Sequence, residues 1–140
     1  MNAEVFVDTN VLYYANTDSL DPRHRQARAL IEPLWSEPGK AAISVQVLQE
    51  LHVNLIRKGG LDPSDSWRRC SDYLAWRVID NDRLLLGSAF DMQTRWKLSY
   101  WDSLIVAAAQ RSGAPLLWSE YLADGQRYDD VRVVNPLTAR

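Results

Sequence analysis

At 140 residues the chain has the length of a single domain, enough to bury one sizeable core. A hydrophobic fraction of 46%, with 6 Trp and 6 Tyr, excludes a disordered chain, and the lone cysteine, Cys70, excludes an internal disulfide or a cysteine-rich zinc site. The net charge of −2 argues against long-range, non-specific attraction to nucleic acid.

In chain order, Glu4–Val7 reads as a short buried strand, followed by a helix over Asp21–Ser36. Ala41–Ile43 is a second strand. Ser44 is placed to cap a helix running to Lys58, and Gly59–Gly60 to stop it. Pro63–Trp76 is helical, Arg77–Ile79 is a candidate fifth strand, and Asp82–Lys97 is again helical. Ser99 and Asp102 spell a capping box for a helix over Trp101–Ser112, which Gly113 and Pro115 close. Pro115–Trp118 and Val131–Val134 complete the strands. Strands separated by helices pair in parallel through right-handed crossovers. The expected architecture is a single three-layer α/β/α domain over residues 1–140, with a mostly parallel sheet of four or five strands.

No apolar run approaches the roughly 20 residues of a membrane helix. The first residues, MNAEVFVDTN, carry an acid and no basic segment ahead of an apolar stretch, so no secretory leader is expected. The expected location is the cytoplasm.

In an open parallel sheet, ligands bind just beyond the carboxyl ends of the strands. Asp8 directly follows the first strand, and Ser119 and Glu120 follow Pro115–Trp118, with Asp124 one turn on. Glu50 lies on the helix leaving the second strand, and Asp102 on the first turn of the helix entering Pro115–Trp118. Carboxylates brought together repel and take up protons unless a cation intervenes. With only oxygen ligands on offer, Mg²⁺ or Mn²⁺ is expected rather than zinc. Such a site suits phosphodiester hydrolysis by metal-activated water. Each acid also has a local reading: Asp8 as a helix cap, Asp102 as half of the capping box, Glu50 as a solubilising side chain, and Glu120 and Asp124 as parts of a surface turn.

Four segments, taken together, resemble the PIN-domain family, in particular its VapC-type toxins. They are Val5-Phe-Val-Asp-Thr-Asn-Val-Leu-Tyr-Tyr-Ala15, Ile43-Ser-Val-Gln-Val-Leu-Gln-Glu50, Tyr100-Trp-Asp-Ser-Leu-Ile-Val-Ala-Ala-Ala109 and Leu117-Trp-Ser-Glu-Tyr-Leu-Ala-Asp-Gly-Gln126, with Val133-Val-Asn-Pro136 near the end. The resemblance runs along essentially the whole chain in the right order. It implies that Asp8, Glu50 and Asp102 bind Mg²⁺ or Mn²⁺, that Asp124 or Glu120 completes the set, and that Thr9, Asn10 and Ser119 support it. Tyr121 departs from the pattern, standing where many relatives carry Asp or Asn; Asp124 is the favoured substitute for the fourth acid.

The resemblance further implies an endoribonuclease, the toxin of a toxin–antitoxin pair, acting as a homodimer and blocked by a VapB-type antitoxin. Basic clusters at Arg23–Arg28, Arg57–Lys58, Arg68–Arg69 and Arg95–Lys97 read first as solvated helix faces. For RNA, Arg25, Arg28, Arg57 and Arg127 become candidate backbone contacts. Trp101 is a candidate for base stacking, whereas Trp35, Trp76 and Trp118 are expected in the core. The alternatives are an inactive PIN-fold protein that binds RNA or serves as a scaffold, and a phosphoryl-transfer or receiver-like domain using Asp8 covalently. The second lacks its motifs: Asp8 is followed by Thr9-Asn10, and no P-loop occurs.

Overall fold

The computed structural model describes residues 2–138. Short apolar runs form β1 (Val5–Val7), β2 (Ala41–Ser44), β3 (Arg77–Ile79) and β4 (Leu116–Trp118), followed by β5 (Arg127–Tyr128) and β6 (Val131–Val134). They make one sheet in the order β3-β2-β1-β4-β6-β5, parallel throughout except for β5 against β6. β1 and β2 are buried at every position, as expected of strands covered on both faces. Phe6, Ile43 and Leu117 lie at the centre of the core.

The helices are α1 (Thr9–Ala15), α2 (Pro22–Ile31), α3 (Val45–Arg57), α4 (Pro63–Asp72), α5 (Arg83–Trp96) and α6 (Tyr100–Ser112). Their starts are written in the sequence. Asp21, Ser44, Asp62, Asp82 and Ser99 each accept an amide hydrogen of the first turn, and Pro22 and Pro63 take positions where no amide is needed. α6 stops at Gly113, whose φ of 78° lies in the left-handed region that favours glycine. α1 packs on α2 and α3, and α3 on α4, while α5 packs on α6, which lies along β2, β3 and β4.

Three expectations are corrected. The helix expected to reach Ser36 ends at Ile31 and continues only as a 3₁₀ turn over Glu32–Ser36, because Pro33 has no amide hydrogen to carry the α-helical ladder. The segment expected to be helical to Trp76 is α-helical to Asp72 and then tightens into a 3₁₀ turn, Tyr73–Ala75. The sheet has six strands rather than four or five, because the two-residue β5 pairs with β6 across a tight turn at Asp129 (φ 56°). α1 adds a helix that the periodicity did not declare.

This strand order positions the site. From β1 the chain adds β2 and β3 on one side, then returns to place β4 on the other. β1 and β4 therefore flank the point where the winding reverses, and the crevice beyond their carboxyl ends is where a ligand fits. Val7 of β1 lies opposite Trp118 of β4, so the next residues, Asp8 and Ser119, emerge side by side. Among the described residues no helix is long and apolar enough to cross a membrane.

Candidate active site

A cleft of about 260 Å³ opens at this crevice, and Asp8, Glu50 and Asp102 all line it. The three arrive from different elements: the end of β1, the middle of α3 and the first turn of α6. Asp8 is only 8% exposed. Its Oδ2 accepts the Ser119 hydroxyl at 2.8 Å and its Oδ1 accepts the Thr9 amide at 2.8 Å. It thus caps α1 and belongs to the cleft at once, so the two readings of Asp8 are compatible. Ser119 is fixed in turn, because its oxygen accepts the amides of Tyr121 (3.2 Å) and Leu122 (3.3 Å).

Glu50 is oriented from the other side. The Thr9 hydroxyl donates to its Oε1 at 2.7 Å, tying α3 to α1 across 41 residues of sequence. Asn10 fixes the opposite wall, its Oδ1 accepting the Glu120 amide at 2.9 Å. Asp102 is exposed at the start of α6, its own amide capped by Ser99 Oγ at 3.1 Å.

The electrostatics follow from this burial. Loss of water pushes the Asp8 carboxyl up to about 6, and the negative charges of Glu50 and Asp102 add to the rise. The hydrogen bonds from Ser119 and Thr9 oppose it but do not cancel it. A buried carboxylate facing two others calls for positive charge, and every side-chain donor here is a hard oxygen. Each Asp8 oxygen accepts one of these hydrogen bonds and keeps a second lone pair. Gln46 is only 5% exposed and lines the cleft; its Nε2 donates to the Trp101 carbonyl at 3.3 Å, while its buried Oε1 has no hydrogen-bond partner. Among the described residues no group of three His, Cys, Asp or Glu side chains is set to hold a metal ion. Magnesium does not require one, since it keeps several waters and takes one or two carboxylates. The donor set fits such an ion.

The structure does not bring the remaining acids to the cleft. Glu120 turns away to Arg23 Nη1 (2.8 Å) and the Tyr14 hydroxyl (3.3 Å). Burial of the ring, with the Glu120 charge beside it, pushes the Tyr14 hydroxyl up to about 12. Arg23 also pairs with Asp21 and lies 4.7 Å over the Tyr14 ring, so Glu120 is consumed by a local network. Asp124 is exposed and accepts the Asn135 amide at 2.9 Å, closing the turn ahead of β6. Both are placed as turn residues, Glu120 engaged by Arg23 and Tyr14 and Asp124 by the Asn135 amide.

The basic candidates also lie elsewhere. Arg25, Arg28, Arg57 and Arg127 are exposed and none lines the cleft; Arg28 pairs with Asp18 at 2.7 Å. The cation on the cleft wall is Lys58, one residue beyond Arg57. Trp76 is buried and Trp118 half-buried, but Trp35 is 38% exposed, stacked on Tyr73 and Trp76 at 5.2 Å from each. Cleft residues not singled out for the site are Tyr13, Tyr14, Gln46, Asn54, Ile105 and Lys58, the last read only within the Arg57–Lys58 cluster. Three of these had a signal: Gln46, Glu50, Asn54 and Lys58 recur every four residues, which puts them in one row along α3.

The description of the PIN domain matches residues 5–121, a span that contains Asp8, Glu50 and Asp102 and stops short of Asp124. The chain belongs to the PIN-domain family. Solved structures share the fold of this PIN domain. A toxin–antitoxin complex from Klebsiella pneumoniae is 21% identical, with 96% of this chain and 98% of that one covered and a TM-score of 0.70. A VapC toxin from Mycobacterium tuberculosis that cleaves the sarcin–ricin loop is 24% identical, with coverage of 92% and 99% and a TM-score of 0.65. A DNA-bound VapBC complex from Salmonella typhimurium is 18% identical, with coverage of 94% and 96% and a TM-score of 0.62. No curated protein matches the chain.

Proposed function

We propose that this PIN domain is a divalent-metal-dependent endoribonuclease and the toxin of a toxin–antitoxin pair. The observation that carries the reading is the convergence of Asp8, Glu50 and Asp102 on one cleft at the switch point of the sheet. Mg²⁺ or Mn²⁺ held by these carboxylates would supply an activated water and offset charge on the phosphate oxygens. The protein's own part is positional. Ser119 and the Thr9 amide hold Asp8, the Thr9 hydroxyl aims Glu50, and Asn10 pins the loop that carries Ser119. Such supporting hydrogen bonds fix carboxylate orientation and matter nearly as much as the ligands themselves. Lys58 on the same wall is placed to meet a phosphate.

The toxin role is supported by whole-chain similarity in fold to toxins solved with their antitoxins. The proposed partners are RNA, a VapB-type antitoxin and a second copy of the chain. The proposed location is the cytoplasm. The test is cleavage of RNA by purified protein. Mg²⁺ or Mn²⁺ should be required, and Asp8→Asn or Asp102→Asn should abolish cutting while circular dichroism stays unchanged. Cleavage that survives both substitutions would remove the proposal. A second reading, a PIN fold that binds RNA without cutting it, is favoured by Tyr121 and by the placement of Glu120 and Asp124 outside the cleft. Binding without cleavage under either metal would select it.

A further inference from the structure

Two aromatic side chains on the cleft are held out in water. Trp101 is 66% exposed and Tyr121 is 74% exposed, yet both line the same cleft as the acids. Most other aromatic side chains have found company: Trp35, Tyr73 and Trp76 stack together, and Trp96 meets Tyr128 at 5.3 Å. Among the described residues the one ring pair that Trp101 makes is an edge contact with Tyr100 at 6.2 Å. The backbone at both positions is held. The Trp101 carbonyl accepts from Gln46, and the Tyr121 amide donates to Ser119 Oγ, the oxygen that also holds Asp8. The backbone of each is therefore tied to the acid cleft while its ring is left to solvent.

A flat, exposed ring beside a carboxylate site is matched by the face of an unpaired base, because stacking needs a π-surface and not a particular sequence. In a duplex those faces are already covered by neighbouring pairs. We propose that Trp101 and Tyr121 are the base-stacking platforms of this cleft, and that they select unpaired over paired RNA by holding the bases next to the phosphodiester at Asp8. This assignment rests on the nuclease reading of the cleft, but its test is one of binding and stands apart from cleavage.

The test is fluorescence anisotropy with a short fluorescein-labelled oligoadenylate, in EDTA, as a single strand and annealed to oligouridylate. The proteins are the wild type, Trp101→Leu, Tyr121→Leu and the conservative Trp101→Phe and Tyr121→Phe. Each leucine variant should weaken single-strand binding by a factor of about 10 to 100, as expected for the loss of one stacked base. The phenylalanine variants should recover most of that loss, and the duplex should bind more weakly than the single strand to the wild type. Both rings are exposed, so thermal unfolding should be unchanged in all four variants. The proposal is overturned if the leucine variants bind as the wild type does, if the duplex binds as tightly as the single strand, or if the wild type fails to bind oligoadenylate. A parallel assay with Mg²⁺ separates the two readings. Absence of cleavage alongside the expected binding losses would sink the nuclease reading and leave the platforms standing.

Discussion

Replacing Asp8 by Asn should make the metal-free protein more stable at pH 8, and the size of the gain follows from the burial of one carboxyl. Asp8 titrates at about 6 in the folded chain against an ordinary 3.8. The folded state therefore holds the proton more tightly than the unfolded state. The sign is opposite to that of a salt-bridged aspartate: the charged form is penalised in the native protein above pH 6, and the penalty lifts as pH falls from 6 towards 4. The full penalty is about 3 kcal/mol. Asparagine carries no charge, and its side-chain oxygen can still accept the Thr9 amide. It no longer accepts the Ser119 hydroxyl, a loss of about 1 kcal/mol. The net expectation in EDTA is a gain of about 2 kcal/mol at pH 8 that shrinks as pH falls and turns into a loss of up to about 1 kcal/mol at pH 4 and below, where only the missing Ser119 hydrogen bond counts. Urea unfolding of both proteins across that range measures it. A difference that is independent of pH, or a variant less stable than the wild type at pH 8, would refute the account of Asp8 as a buried, uncompensated carboxylate.

Three further substitutions probe the neighbours. Thr9→Val removes the hydroxyl that aims Glu50 and keeps the shape of the side chain; Mn²⁺ affinity by calorimetry should fall about tenfold or more. Asp124→Asn keeps an oxygen for the Asn135 amide; cleavage and metal affinity should both match the wild type, and a loss of either would return Asp124 to the site. Arg23→Met leaves the half-buried Glu120 without its cation and should cost about 2 kcal/mol in urea unfolding. No change there would mean the ion pair holds nothing in place.

The sheet and the three acids of the cleft were legible because each signal is local. A buried run followed by Asp-Thr-Asn, a helix that opens with Ser44, and the Ser99 cap all announce themselves within a few residues. What was not legible is where side chains go once the chain is folded. Glu120 and Asp124 have the composition of ligands, but Arg23 and the Asn135 amide, 97 and 11 residues away, claim them first. No spacing in the sequence announces such competition. α1 was signalled only by the cap reading of Asp8, because seven residues cannot display a helical period and its place depends on packing against α2 and α3. Lys58 was within reach, since the row Gln46, Glu50, Asn54, Lys58 is a plain four-residue repeat.

The claim that three distant carboxylates form one cation site is tested most directly by titrating Mn²⁺ into the wild type, Asp8→Asn, Glu50→Gln and Asp102→Asn in a calorimeter at pH 8. Binding should be saturable in the wild type and at least about tenfold weaker in each variant, because every member removes a share of the same negative charge. Equal affinity in all four proteins, or no heat of binding in the wild type, would contradict it.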